Sequence, residues 1–238
     1  VPVGRTPELW DPSTGTITPV SFQRADSGVQ VPIRMRVLKS AFLVFRQSCD
    51  ADRSTGTEKP CGWEPAVAEV SAINGPWTLD FPEGLGAPPA ATFEQLKSWT
   101  DAEEPGIRNF SGTATYSTVF DCPAAVADRV ALATLDLGRV AEVCDVQLNG
   151  HPLGVGWHKP YRFDATDALK SGENRLEIRV ANLWLNRIRA DAQLPPEQRI
   201  TRIAPPGWYD RCRESKPLPS GLLGPVKLQF TTHQRKPK

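Results

Sequence analysis

The chain has 238 residues, of which 39% are hydrophobic, and its 28 basic and 27 acidic side chains leave a formal net charge of +1. A charge balance this even gives no electrostatic preference for nucleic acid or anionic lipid, and no apolar run is long enough to span a membrane. The 23 prolines and 18 glycines favour strands and turns, because proline interrupts the interior of a helix. We therefore expect an all-β chain whose partners are neither nucleic acids nor membranes.

The first part of the chain contains three short runs of alternating apolar and polar residues, at 17–23, 29–38 and 41–46. This period of two is typical of strands. Three strands bury little apolar surface by themselves, so we expect this small sheet to pack on a neighbouring element. The polar loop at 48–64 is the expected boundary of an accessory β region at 1–65.

The remainder of the chain, 66–238, contains many more predicted strands. They cover residues 66–73, 77–81, 112–120, 129–137, 142–148, 161–164, 175–181 and 226–232. Short strands separated by turns are typical of an antiparallel sandwich or jelly roll. Asn149-Gly150 predicts a two-residue hairpin, because both residues tolerate positive φ. Residues 164–172 are the one stretch that predicts a helical turn, with Asp164 or Thr166 as its N-cap and Gly172 at its end.

The five cysteines are Cys49, Cys61, Cys122, Cys144 and Cys212. An odd count leaves at least one thiol unpaired within the chain. Cys49 and Cys61 flank a polar loop, which allows either a disulfide in an oxidising compartment or two reduced thiols. Cys144 alternates with valines and is expected to be a small core residue. The absence of a Cys-x-x-Cys pair argues against a zinc ribbon.

Several stretches carry a family resemblance: GPWTLDF at 75–81, FSGTATYSTVF at 110–120, and the run from LDLGRV to RVAN at 135–182. They resemble the sugar-binding jelly roll of family 2-type glycoside hydrolases, one of the galactose-binding-like β-sandwiches. PELWDPSTGTI at 7–17, VANLWLNRI at 180–188 and LPSGLLGPVKL at 218–228 resemble, more narrowly, the C-terminal part of bacterial α-L-rhamnosidases of glycoside hydrolase family 106. The resemblance implies a galactose-binding-like jelly-roll domain at 66–238.

The resemblance also bears on catalysis, since such enzymes carry their catalytic carboxylates in a barrel domain that precedes these β modules. It therefore implies a non-catalytic module or a fragment, with an upstream catalytic domain as partner. The first residues, VPVGRTPELWDP, contain neither an initiator Met nor an apolar signal segment, so a processed or excised piece is expected. We expect an extracellular or periplasmic location.

The first candidate binding site is the loop that contains Trp157, His158 and Tyr161. Aromatic rings offer an apolar face to the C–H face of a sugar, and the polar neighbours His158 and Lys159 are suited to its hydroxyls. The alternative is that Trp157 and Tyr161 close the end of the sandwich, because tryptophan is usually well buried.

The second candidate site follows the predicted strand at 175–181. If that strand continues, Asn182, Trp184 and Asn186 share one side, with Arg187 beside them. An aromatic ring between two amides suits sugar hydroxyls, and it equally suits docking onto a catalytic domain. The pair Trp208 and Asp210 repeats the mixture of aromatic and charged residues and leaves the same alternatives open.

Catalysis by the chain itself has little support in the sequence. Glycoside hydrolysis needs two facing carboxyl groups, and the sequence does not place any of its candidates, which include Glu177, Asp191 and Asp210. No Gly-x-Ser-x-Gly or His-Glu-x-x-His motif occurs. No cofactor is indicated, apart from a possible structural calcium ion at the acidic cluster Asp101, Glu103 and Glu104, for which a solvated turn is the alternative.

Three functions follow from these observations. The favoured one is carbohydrate binding, to a polysaccharide or oligosaccharide, by an accessory module of a rhamnosidase-like glycoside hydrolase. The second is a structural module that docks on a catalytic barrel and binds no sugar alone. The third is a glycoside hydrolase that is active in its own right.

Overall fold

The computed structural model describes residues 5–12, 15–25, 28–33, 40–48, 69–124, 130–202 and 207–232. The chain divides into two compact units, Val1–Ala66 and Val67–Lys238. In the part of the chain that the structure describes, no helix is both long and apolar enough to cross a membrane.

The first unit contains five described strands in two antiparallel groups. Its strands are β1 (Arg5–Trp10), β2 (Ile17–Pro19), β3 (Gln23–Ala25), β4 (Gly28–Gln30) and β5 (Phe42–Ser48). The order β2-β1-β5 forms a three-stranded sheet, and β3 and β4 form a hairpin. The predicted strand at 17–23 is thus two short strands, and β1 was not predicted.

A buried carboxylate joins β1 and β5, two neighbouring strands of this small sheet. Glu8 on β1 accepts a hydrogen bond from Trp10 Nε1 at 3.0 Å and pairs with Arg46 Nη2 of β5 at 3.1 Å. The guanidinium of Arg46 also lies 4.8 Å from the centroid of the Trp10 ring. These partners lower the pKa of Glu8, the hydrogen bond from Trp10 first and Arg46 next, against the opposing effect of burial.

The second unit is a sandwich of antiparallel sheets. Its strands are β6 (Glu69–Ala72), β7 (Trp77–Asp80), β8 (Ala90–Phe93), β9 (Thr113–Cys122), β10 (Val130–Asp136), β11 (Arg139–Ala141), β12 (Val143–Leu148), β13 (His151–Gly156), β14 (Arg162–Asp164), β15 (Gly172–Ala181), β16 (Gly221–Gly224) and β17 (Lys227–Thr232). Six strands follow the order β13-β12-β15-β9-β7-β8, and four follow β14-β10-β17-β6. The strands β11 and β16 form a separate pair.

Three short helices lie within the described residues of this unit: α1 (Pro105–Arg108), α2 (Leu185–Asp191) and α3 (Trp208–Arg213). Single 3-10 turns occupy Trp99–Asp101 and Pro196–Gln198. The predicted helical turn at 164–172 is a hydrogen-bonded turn in which Asp164 Oδ1 accepts from Thr166 N at 2.9 Å, while α2 and α3 were not predicted.

The core of the sandwich follows from the period of two along its longest strands. Strands β9 and β15 pair over their full ten-residue lengths, and their even-numbered residues point inward. Tyr116, Leu176 and Ile178 are among the fully buried side chains. Tyr116 accepts a hydrogen bond from Leu222 N at 3.0 Å, which ties β16 to β9. The alternation predicted from the sequence is confirmed here.

The Asn149-Gly150 hairpin is also confirmed. Both residues have positive φ, 54° and 79°, and Leu148 and His151 form the closing pair of β12 and β13. The Asn149 side chain also holds the turn in place, because its Nδ2 donates to Ala168 O and to Asn174 Oδ1, each at 2.8 Å. The turn is therefore a structural element of the sheet.

Three cysteines are described, and all three are free and buried: Cys122, Cys144 and Cys212. Cys144 is 1% exposed, as predicted for a core residue. Burial raises its pKa to about 12, Asp145 adds to this, and the backbone of Gly156 opposes it. Burial also raises the pKa of Cys122 and of Tyr161. Cys49 and Cys61 lie outside the described residues.

These raised pKa values predict a loss of stability at alkaline pH. Above pH 9.0, the ordinary value for the thiol, the unfolded chain releases a proton from Cys144 that the folded chain keeps until about pH 12. Each such proton lowers the free energy of unfolding by about 1.4 kcal/mol per pH unit. We expect the free energy of unfolding, measured by urea denaturation in the presence of reductant, to fall from pH 9 to pH 11. Its dependence on pH should be shallower in Cys144→Ala. Equal slopes in the two proteins would contradict this role of Cys144.

Candidate functional site

Trp157 lies on the surface at the end of β13, in the loop that leads to β14. Its side chain is 62% exposed, and its ring meets that of His158 edge-on, with 4.5 Å between centroids and 86° between planes. His158 Nδ1 is engaged with Lys159 O at 2.8 Å, while Lys159 itself is exposed. The loop thus presents an open aromatic face with a histidine and a lysine beside it.

Tyr161 occupies a different environment from Trp157. It is 3% exposed and belongs to the core of the sandwich. Its hydroxyl donates to Glu142 O at 2.6 Å, and burial raises its pKa, with a further contribution from Glu142. A ligand that stacks on Trp157 does not reach this side chain, so the candidate site retains Trp157 and His158 but not Tyr161.

The second candidate site assumed that β15 continues through Asn182, Trp184 and Asn186, so that their side chains share one side. This assumption is wrong. Strand β15 ends at Ala181, which pairs with Thr113, the first residue of β9. No residue of β9 remains to pair beyond that point, and the chain turns into α2 after Trp184. Asn182 and Asn186 point into the structure, whereas Trp184 is 61% exposed.

The two asparagine amides form a buried network around Ser220. Asn182 accepts from Gly112 N at 3.0 Å and donates to Phe110 O at 2.9 Å and to Ser220 Oγ at 3.2 Å. Asn186, which is 3% exposed, accepts from Leu218 N at 2.9 Å and donates to Leu218 O and Ser220 Oγ, both at 2.8 Å. These amides already have protein partners, so they are not available to sugar hydroxyls.

Arg187 is also engaged inside the structure. Its Nη2 pairs with Asp191 Oδ1 at 2.8 Å, one turn further along α2, and the Asp191 side chain is fully buried. The other carboxylate oxygen of Asp191 accepts from the backbone N of Thr201 at 2.6 Å and from the Thr201 hydroxyl. Together these contacts hold the segment after α2 in place, and they leave Arg187 committed to a structural ion pair.

Trp208 and Asp210 lie on α3. Trp208 is 41% exposed, and the Asp210 carboxylate faces solvent with Arg213 Nη2 at 3.8 Å. Between them, Tyr209 donates to the carbonyl of Thr201 and carries the Arg199 guanidinium 4.2 Å above its ring. The helix is thus fixed by Tyr209, while its two predicted site residues remain on the surface.

The three carboxylates considered for catalysis lie on separate elements. Glu177 pairs with Arg175 at 2.9 Å on β15. Asp191 is enclosed by Arg187 and Thr201, and Asp210 is on the exposed side of α3. A buried, paired carboxylate such as Asp191 is unsuited to exchanging protons with a substrate.

The acidic cluster considered for calcium has local structural partners. Glu104 accepts from Gly106 N at 3.1 Å and so caps α1. The carbonyl oxygen of Glu103 accepts from Arg108 Nη2 at 2.5 Å. Among the residues that the structure describes, no three His, Cys, Asp or Glu side chains come together as metal ligands. A structural calcium ion at this cluster stays an expectation from the sequence.

A cavity of about 410 Å³ lies at one end of the sandwich, and the sequence did not point to it. Its walls come from the ends of β6, β8 and β16 and from the starts of β7 and β17. The lining comprises Ile73, Asn74, Gly75, Trp77, Glu94, Gln95, Leu96, Leu223, Pro225 and Val226. Three distant segments of the chain contribute, so no local pattern predicted it. Parts of two stretches that carry the family resemblance, 75–81 and 218–228, contribute to this lining.

Comparison with known proteins agrees with this fold. Residues 100–214 match the family described as "Glycosyl hydrolase 2 galactose-binding domain-like". The sandwich has a galactose-binding-like fold. This confirms the predicted fold class and the resemblance to sugar-binding domains of glycoside hydrolases.

Two longer proteins are similar to this chain. A solved rhamnosidase from Novosphingobium sp. PP1Y superposes with a TM-score of 0.79 and 35% identity, over 95% of this chain and 20% of that one. A protein of Formosa agariphila named "Putative beta-glucuronidase" is 37% identical over 186 residues, which are 68% of this chain and 16% of that protein. The chain thus spans about a fifth or less of the length of either.

The amide network predicts a specific stability effect. Asn186→Ala removes three hydrogen bonds at a buried position and leaves the N–H of Leu218 without this partner, which costs about 1–3 kcal/mol. Gln198→Ala is a matched control, because Gln198 is exposed on a 3-10 turn and such changes stay within about 0.5 kcal/mol. Chemical denaturation measures both, and an Asn186→Ala effect no larger than that of the control would count against the network.

Proposed function

We propose that the galactose-binding-like domain is a non-catalytic carbohydrate-binding module of a rhamnosidase-like glycoside hydrolase of family 106. In this proposal the longer enzyme carries its catalytic domain elsewhere and acts outside the cytoplasm, in the periplasm or the extracellular medium. The similarity of nearly the whole chain to part of a rhamnosidase supports the enzyme class. The partner of the module is a polysaccharide or an oligosaccharide.

The observation that carries the proposal is the open face of Trp157. Transfer of a large aromatic surface to water is unfavourable, so a 62% exposed indole directly after β13 suggests a binding surface. A sugar ring covers such an indole with its C–H face and keeps its hydroxyls toward solvent and nearby donors. Lys159 is exposed beside the indole and is available as a donor to those hydroxyls.

The carboxylates support a non-catalytic role. A hydrolase needs an acid and a second carboxylate facing each other across the bound sugar, about 5–10 Å apart. Asp191 is buried in an ion pair, Glu177 pairs with Arg175, and Asp210 lies on α3. Glu94 alone supplies a carboxylate among the residues that line the cavity.

A second function, docking onto the catalytic domain of the same enzyme, is favoured by the surface around Trp184. Leu183 and Trp184 are 50% and 61% exposed, and Leu218 is 37% exposed. Leu218 is bound at its backbone by Asn186, two residues after Trp184. The polar neighbours Asn182, Asn186 and Arg187 already have partners, so this surface offers apolar area with few free groups for hydroxyls.

Affinity gels test the sugar-binding function. We expect the chain to be retarded by at least one polysaccharide in a broad panel, and Trp157→Ala to lose most of that retardation because the stacking face is gone. Trp157→Phe keeps an aromatic ring and should retain part of it, and Val155→Ala, an exposed neighbour on β13, should retain all of it. Equal mobility of the four proteins on every gel argues against the proposal.

Pull-down of the separately expressed catalytic domain, once the full reading frame is known, tests the docking function. Leu183→Ser combined with Trp184→Ser should abolish capture, since it replaces the apolar contact, whereas Trp157→Ala should leave it intact. If the double variant captures the catalytic domain as well as the unmodified chain, the surface around Trp184 has another role.

A further inference from the structure

We infer that the sugar site at Trp157 continues across the outer face of the six-stranded sheet, so that it binds an internal stretch of a glycan chain rather than a single sugar at a chain end. The second contact is formed by Asp145 on β12 and Arg179 on β15. The inference rests on the proposed carbohydrate-binding function. It adds the length of chain that the sandwich recognises and two residues that were not among the predicted binding residues.

The backbone places Trp157 on the outer face of that sheet. A Cβ atom on Gly156 would lie 2.9 Å from Cys144 Sγ and 3.0 Å from Phe163 Cζ, so position 156 faces the core. Successive side chains of a strand point to opposite faces, so the neighbours Val155 and Trp157 point outward. Their exposures of 59% and 62% agree with this. The indole therefore stands on the same face as the outward side chains of β12 and β15.

The register of the sheet puts charged groups within reach of a chain that covers the indole. Asp145 pairs with Val155 of β13 on one side and with Arg179 of β15 on the other. Val143, two positions before Asp145 on the same face, is 38% exposed and adds apolar surface. Neighbouring strands lie about 4.8 Å apart, so β15 is about 10 Å from β13. This span is longer than one sugar ring, and the second contact therefore requires at least one further unit of the chain.

The ion pair of Asp145 and Arg179 is open to a ligand. Arg179 Nη1 and Asp145 Oδ2 are 3.6 Å apart, and the two side chains are 59% and 37% exposed. An exposed pair of this kind adds little to stability, and it leaves guanidinium donors and carboxylate acceptors for other groups. The pair of Arg187 and Asp191 differs, because its atoms are 2.8 Å apart and its side chains are 11% and 0% exposed.

The chemistry and the shape of this face suit a glycan chain that passes over it. The charges of Asp145 and Arg179 cancel, so the pair attracts no ion of either sign, while it offers an acceptor and donors to neighbouring hydroxyls. The row continues from Arg179 to Thr115 of β9 and from Thr115 to Asp80 of β7. A flat sheet face that extends in this way accepts a chain that continues beyond the contacted units.

Titration with oligosaccharides tests the length of the site. The 238-residue chain is first run on gels that contain xylan, galactan, arabinan, β-glucan or rhamnogalacturonan. Fragments of one to four sugar units, cut from a retarding polysaccharide, are then titrated. We expect the affinity to rise about tenfold from the single sugar to the trisaccharide and then to level off. Arg179→Ala should weaken trisaccharide binding about tenfold, the effect of one lost hydrogen bond to a charged group, and leave single-sugar binding unchanged.

Arg175→Ala is the matched control. Arg175 points outward from the same strand, is 65% exposed and pairs with Glu177 at 2.9 Å. It lies four positions before Arg179, about 13 Å along the strand, so its removal should leave binding of every fragment unchanged. Circular dichroism establishes that both variants fold, as expected for changes at exposed positions. Trp157→Ala should lose binding of all fragments.

The outcomes separate this inference from the proposed function. The extended site is overturned by equal affinity for the single sugar and the trisaccharide, or by equal effects of Arg179→Ala and Arg175→Ala. It is also overturned if Arg179→Ala weakens the single sugar as much as the trisaccharide. In each of these cases sugar binding at Trp157 stands. If none of the five polysaccharides retards the chain, the proposed function and the extended site both fail.

Discussion

The buried hydrogen bonds around Ser220 are the constraint on which the rest of the candidate surface depends. Asn182 and Asn186 both donate to its hydroxyl, and its backbone N–H donates to Ser98 Oγ at 2.9 Å. Unpaired amides at such depth are costly, so all these partners must be present together. The network brings the chain after β15 back against the sandwich. It thereby turns Trp184 outward and removes the amides beside it from any ligand.

This arrangement leaves three surfaces of the sandwich that differ in their chemistry. Trp157 combines an exposed ring with the polar groups of His158 and Lys159. The cavity at the end of the sandwich is lined by both apolar and polar side chains. The surface at Leu183 and Trp184 is apolar, and its polar neighbours are used internally. The surface at Trp157 suits a sugar, which needs both apolar and polar contacts, and the surface at Leu183 and Trp184 suits the apolar face of another domain.

The features that could be predicted from the sequence are those that depend on residues close together in the chain. Alternation along β9 and β15 and the Asn149-Gly150 turn are properties of neighbouring residues. The end of β15 is not local, because it depends on where β9 stops offering backbone partners. Strand β13 escaped prediction because Pro152, Gly154 and Gly156 weaken its pattern. The cavity could not be predicted from the sequence, because its lining comes from three segments that only the tertiary fold brings together.

The most direct measurement is the set of indole N–H signals of the seven tryptophans, followed by NMR as an oligosaccharide from a retarding polysaccharide is added. The account predicts that the signal of Trp157 shifts, while those of Trp184 and Trp208 remain in place, although all three side chains are exposed. Shifts at Trp184 or Trp208 without a shift at Trp157 would contradict it, and they would move sugar binding to the helical surface.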